Sequence, residues 1–156
     1  MTTATAPTRQ KLSFKTLDDI ARFVEPLPAR GATSTGNWSA AQNIDHVAAV
    51  VDASIDGFTF SAPFPIRIFA TLMRNRFLSK GFNPGIKMPS NVPTAFKPGP
   101  ETQLDDAVRH LTDSIQRAKD KKMTVVSPIF GALSHDQWID MHCRHAEMHF
   151  SHIRPA

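Results

Sequence analysis

The sequence predicts an all-α protein, a bundle of four principal helices with one shorter helix and long crossovers between some of them. Three observations carry this. Apolar residues recur at helical spacing in five separate stretches. Three of those stretches open on a residue pair able to form a capping box. No stretch alternates with the period of two that a half-buried strand requires, and the apolar run at Met123 to Val126 is too short to count as one.

Residues 1–12 read as a polar, flexible tail and residues 13–156 as a single bundle domain. Thr16 is the expected N-cap of the first helix, with Asp19 three residues on as a short substitute for the usual Glu. Leu17, Ile20, Ala21 and Val24 continue that helix until Pro26 and Pro28 stop it, and a loop over 29–37 follows. The second helix has a cleaner start: Ser39 caps it, Gln42 completes the box, and Trp38 is placed to act as a hydrophobic staple. Ile44, Val47, Ala48, Val51 and Ile55 form its apolar stripe, His46 lies beside that stripe, and Gly57 ends it.

Pro63 and Pro65 open a third helix over about 66–80, with Gly81 as its C-cap. Residues 81–101 hold five prolines and three glycines and cannot form a regular element. Loops this long are often functional, so the segment reads either as part of a site or as a strap over one end of the bundle. The fourth helix, 102–119, lines up Leu104, Ala107, Val108, Leu111, Ile115 and Ala118. The fifth starts from the Ser134/Gln137 box and turns Trp138, Met141, His145, Met148 and His149 inward.

A chain of 156 residues, 41% hydrophobic and 21% charged, is long and apolar enough for one core without disulfides. The single Cys143 excludes an internal disulfide, and it reads as a small packing residue. The N-terminus carries no apolar leader and no window approaches 18 apolar residues, so the expected address is the cytoplasm, without a membrane partner. The net charge of +4 comes from scattered basic residues, which argues against nucleic acid. The densest patch, Arg67, Arg74, Arg76, Lys80 and Lys87, is interleaved with Phe69, Leu72 and Phe77. It reads as a solvated helix face or a weak electrostatic funnel for an anionic small molecule.

The chemistry concentrates at the end of the chain. His142, His145, His149 and His152 are four of seven histidines, spaced by 3, 4 and 3, so one helix stripe carries all of them. Imidazoles at i and i+4 can close on one metal ion, and imidazole is the commonest protein ligand for zinc-type and nickel-type cations. Spacing alone leaves open which two bind. An open site needs a third ligand from elsewhere, and His46 is the best candidate. His110 and His135 are expected at the surface. Asp45 and Glu147 point away from the histidine positions beside them, Asp52 and the 81–101 loop are weak candidates as contributors, and the chain has no Tyr to serve as an acid.

Residues 37–48, NWSAAQNIDHVA, resemble the W-S-x-x-Q-x-x-x-H-[LV] opening of the DinB-like four-helix-bundle superfamily. Residues 127–138, SPIFGALSHDQW, and 142–149, HCRHAEMH, resemble the end of one bacterial branch of it, H-P-x-F-G-x-L-(S/T)-x-x-x-W followed by H-x-x-H-x-x-x-H. The similarity runs from Lys11 onward, and the proline-rich loop is typical of that branch. Carried over by position, the resemblance implies a metal triad of His46, His145 and His149, with His142 and His152 near the pocket. Ser127 departs from the branch, which has a His there. The resemblance further implies a divalent ion, zinc or nickel before iron or manganese. It also implies kinship with the bacillithiol and mycothiol S-transferases, and often a homodimer. The expected function is a metal-dependent enzyme acting through an anionic low-molecular-weight thiol, a transferase or isomerase. The alternatives are a metal-assisted hydrolase and a non-catalytic metal-binding or stress-related bundle.

Overall fold

The computed structural model describes residues 9–83 and 88–156. The Thr16 hydroxyl accepts from the Asp19 amide at 3.2 Å and the Asp19 carboxylate accepts from the Thr16 amide at 3.0 Å, which starts α1 (Leu17–Val24). Pro28 does not end the helical path as expected. It sits in the first turn of a second short helix, α2 (Leu27–Arg30), where a missing N–H costs nothing. Within the expected loop, Ala32–Ser34 forms a strand, β1. The Ser39/Gln42 box then starts α3 (Ala40–Asp56), which ends at Gly57 with φ of 112°.

The expected third helix is two helices, α4 (Phe64–Leu72) and α5 (Arg74–Lys80). They break at Met73, whose φ of −93° and ψ of 3° leave the helical region. No proline or glycine marks that break, so the apolar periodicity runs through it. The proline-rich segment contains a 3-10 turn at Thr94–Phe96, while Pro84 to Lys87, including the Lys87 of the basic patch, lie outside the described residues. α6 (Leu104–Asp120) and α7 (His135–Phe150) follow, the second started by the Ser134/Gln137 box. Ile153–Pro155 (β2) pairs antiparallel with β1, Ala32 opposite Pro155 and Ser34 opposite Ile153.

The fold is therefore all-α in its core with one small two-stranded sheet, a correction to the reading without strands. Three-residue strands are shorter than any detectable alternation. The sheet ties the α2–α3 connection to the chain end. The N-terminal segment is also tied down where it is described: the Gln10 amide donates to the Ser151 carbonyl at 3.0 Å, and the Arg9 guanidinium donates to the Ser151 hydroxyl. Residues 1–8 lie outside the described residues.

α3 is the central element, packed most extensively on α6 and next on α7. Ile44, Val47 and Val51 of α3 are fully buried in one core with Leu111 of α6 and Trp138 and Phe150 of α7. Each large side chain there contributes about 1.5–3 kcal/mol relative to exposure. The rim of the α3–α6 contact is ionic. His110, expected at the surface, lies between Asp45 (Nδ1 to Oδ1, 2.7 Å) and Asp52 (Nε2 to Oδ2, 2.9 Å), and Arg117 bridges Asp52 and Asp56. Both ring nitrogens face carboxylates that only accept, so the ring is an imidazolium. Partial burial pulls its pKa down, but the two carboxylates outweigh this and hold it above the usual value. Asp45 and Asp52 are thereby committed to helix pairing.

His142 points into the core, fully buried and stacked on Trp138 at 5.4 Å. The Ser54 hydroxyl donates to the Val51 carbonyl at 2.6 Å, so His142 Nε2–H donates to the Ser54 oxygen at 2.9 Å and Nδ1 is a buried lone pair. Burial pushes the ring pKa down to about 3 from 6.5. The folded state gains nothing from this ring's titration above pH 6.5. As pH falls from 6.5 towards 3, the unfolded chain binds a proton that the folded chain refuses. Stability should fall by about 1.4 kcal/mol per pH unit from this ring alone. Urea unfolding at about pH 7 and about pH 5 checks it: replacing His142 with Leu should shrink the loss between the two by about 2 kcal/mol.

Candidate metal centre

Three imidazoles converge where α7 packs on α3. His46 comes from the middle of α3, and His145 and His149 from successive turns of α7. One ring nitrogen from each lies within 4.8 Å of the others, and His46 Nε2 is 3.2 Å from His145 Nε2. The three rings sit 4.6 to 5.0 Å apart between centroids. Trp38 packs on His46 at 5.2 Å and stacks on His149 at 6.0 Å. The expected staple is thus a wall of the site. Three histidines here can hold a metal ion.

Hydrogen bonds set which nitrogen each ring offers. His46 Nδ1 lies 2.7 Å from the Phe96 carbonyl, which only accepts, so the proton sits on Nδ1 and the lone pair on Nε2. Phe96 belongs to the 3-10 turn of the proline-rich segment, which makes that segment part of the site. Asn43 does the same for His149. Its Nδ2 donates to the carbonyls of Trp38 and Ser39 at 3.3 and 3.0 Å, which turns Oδ1 toward His149 Nδ1 at 3.1 Å. His149 Nδ1 must donate, and its Nε2 lone pair is left facing inward. Outer-shell acceptors that fix tautomers in this way are a general property of metal-ligating histidines.

His145 completes the fit. Its Nδ1 is buried without a partner among the described residues, and its Nε2 faces the Nε2 of His46. Two imidazole nitrogens at 3.2 Å share at most one proton. A cation between them satisfies both lone pairs, and tetrahedral ligands about 2.0–2.1 Å from zinc stand about 3.3 Å apart. Three imidazole nitrogens so placed can hold a metal ion. Electrostatics agree. Burial holds all three rings below the usual histidine pKa, and mutual repulsion among the rings deepens this for His145 and His149. The rings are neutral, which is the ligating form.

The three rings form the polar end of a cavity of about 430 Å³. The rest of its lining is apolar, with Phe58, Phe96 and Trp138 on the inner side and Ile66 and Phe69 of α4 at the outer side. Beyond the imidazoles, the lining among the described residues includes one hydroxyl, Ser127, and no carboxylate, Lys or Arg. Ser127 Oγ accepts from the amides of Ile129 and Phe130 at 3.2 and 3.1 Å. Of the basic patch, Arg67, Arg74, Arg76 and Lys80 do not line this cavity, and Arg74 donates to the Ala132 carbonyl.

The other candidates lie outside the cavity lining. His142 is in the core, and His152 follows the end of α7 beside Thr35 and Gly36. His135 Nδ1 accepts from the Met123 amide at 3.0 Å rather than facing water only. Glu147 accepts from the Phe14 amide at 2.7 Å and pairs with Arg144, anchoring the N-terminal segment. Cys143 is buried, and burial pushes its thiol up to about 12, so it is a packing residue. Residue spacing does not single out Asn43 as a partner of His149. The signal it does carry is its place one turn before His46 on the same helix. The role of the Phe96 carbonyl has no signal in the sequence.

If Asn43 presets His149, then Asn43→Ala should weaken zinc binding about 10- to 100-fold in a chelator competition. Asn43→Asp keeps an acceptor oxygen and should restore most of the affinity, while helical circular dichroism stays unchanged in both.

The chain matches no curated protein and no solved structure. A family model described as "Protein of unknown function (DUF1569)" matches residues 6–156, nearly the whole chain. With that coverage, the protein belongs to the DUF1569 family.

Proposed function

We propose that this protein is a metal-dependent enzyme of DinB-like bundle architecture, in which His46, His145 and His149 hold one divalent ion at the end of an apolar cavity. The observation that carries the reading is the meeting of three neutral, inward-facing imidazoles with an accessible cavity. Three protein ligands with room for a fourth is the pattern of catalytic sites, whereas structural sites are closed by protein on all sides. The order of ligands, one on α3 and two on α7, supports the DinB-like assignment.

A divalent ion held there supplies Lewis acidity, lowering the pKa of a thiol or water that reaches it. The chain's own groups do the rest. Phe96 and Asn43 hold His46 and His149 in the Nδ1–H form, and the aromatic walls exclude bulk water and receive an apolar group. The reaction class we favour is S-transfer. The sulfur of a low-molecular-weight thiol bonds to an electrophilic carbon carried on an apolar substrate, the leaving group departs with its electron pair, and the thiol proton passes to solvent.

One observation favours a second reading, a non-catalytic metal-binding bundle. Among the described residues the lining offers no acid or base beyond the three ligands and one engaged serine. Elemental analysis comes first: about one zinc or nickel per chain should be found, lost in His46→Ala and in the His145→Ala/His149→Ala double variant with helicity retained. The metal-loaded protein should then accelerate S-arylation of N-acetylcysteine by chlorodinitrobenzene, with release of chloride, and the variants should not. Metal bound without any thiol chemistry would give precedence to the non-catalytic reading. A parent that takes up neither metal would overturn both.

A further inference from the structure

The cavity opens beside the least covered element of the fold. α4 is nine residues long, and only Ala70 of it is buried. Phe64 and Leu72 are 71% and 78% exposed, and Ile66, Ile68 and Phe69 are exposed with them. Among the described residues, the only other exposed large hydrophobic side chain is Val126. Phe64, Ile68 and Leu72 follow one another at four-residue spacing and form a single ridge, while Ile66 and Phe69 also line the cavity. An apolar face this concentrated marks a contact surface rather than scattered surface residues.

Charge selects what the surface contacts. Residues 57–100 contain six of the 18 basic residues and none of the 14 acidic ones, which leaves the rest of the chain with 12 basic against 14 acidic. On α4 and α5, Arg67, Arg76 and Lys80 are exposed and form no salt bridge among the described residues. A second copy brought to this face would bring its own Arg67, Arg76 and Lys80 against them. Nucleic acid would match the cations but leave the Phe64, Ile68 and Leu72 ridge facing phosphate and water. An anionic lipid surface meets both requirements, because apolar side chains enter the acyl boundary while basic ones stay with the headgroups. At nine residues α4 is far too short to span a bilayer and suits lying along one.

We propose that α4 docks this protein on anionic membrane surfaces, its Phe64, Ile68 and Leu72 ridge inserted and Arg67, Arg76 and Lys80 on the headgroups. The cavity then opens at the lipid contact, since Ile66 and Phe69 belong to both. This binding requires no metal and stands apart from the enzymatic reading. The test is flotation of the full chain with phosphatidylcholine vesicles, with or without roughly one quarter phosphatidylglycerol. The protein should float with the anionic vesicles and much less with the neutral ones. Ile68→Asp/Leu72→Asp should abolish flotation, and Arg67→Gln/Arg76→Gln should weaken it on the order of 25-fold, since one basic residue near such a surface contributes about fivefold. Both substitutions are at exposed positions, and circular dichroism confirms that each variant is folded. A parent that does not float with anionic vesicles overturns the proposal, as does an aspartate variant that floats like the parent. If that variant instead converts a dimer to a monomer and flotation is unchanged, the face belongs to a second copy. Binding to RNA without flotation overturns the lipid assignment equally.

Discussion

Three imidazoles are packed at the α3–α7 contact with no carboxylate among them, and this governs the site. A charged ring there would be desolvated, so burial holds all three below the usual histidine pKa, and repulsion from neighbouring rings adds to this for His145 and His149. Neutral rings must place their protons, and the Phe96 carbonyl and Asn43 Oδ1 take those of His46 and His149 on the outer side. The inner nitrogens are left as lone pairs against His145. A hydrocarbon core would have no use for such an arrangement. Three nitrogens so placed can hold a cation.

α3 handles charge in the opposite way where it packs on α6. His110 sits between Asp45 and Asp52 and is held as an imidazolium. Partly exposed ion pairs of this kind contribute little stability each, and they join α3 to α6 at the rim of a contact whose centre is apolar. The small sheet joining 32–34 to 153–155 has a related role, because it holds the end of α7 and the connection that leads into Trp38 and Ser39. The three candidate ligands are thus tied at both ends of the chain by elements that are not themselves part of the site.

Much of this was legible from residue patterns. Capping boxes at Thr16, Ser39 and Ser134 marked three helix starts, because a cap is a local hydrogen-bond exchange that needs only neighbours in sequence. The candidate triad was legible from i, i+4 spacing and a resemblance in motif order, and the structure brings those three side chains together. What could not be read was non-local. The break at Met73 carries no breaker residue, and three-residue strands pair only because their partners lie at the other end of the chain. His110 looked solvent-facing because its two carboxylates come from another helix. His142 looked like a further ligand because stripe spacing cannot separate a ring turned toward Ser54 from one turned toward His46.

The central claim is that His46 and His149 are preset with Nε2 free, and that His145 closes a three-nitrogen site with them. Long-range proton–nitrogen NMR of the histidine rings, recorded on metal-free protein at neutral pH and again with one equivalent of zinc, tests it most directly. The account predicts neutral Nδ1–H tautomers for His46 and His149 before zinc, and zinc-induced shifts at one ring nitrogen of each of the three residues afterwards. Imidazolium signals or Nε2–H tautomers at His46 and His149, or three rings unmoved by zinc, would contradict it.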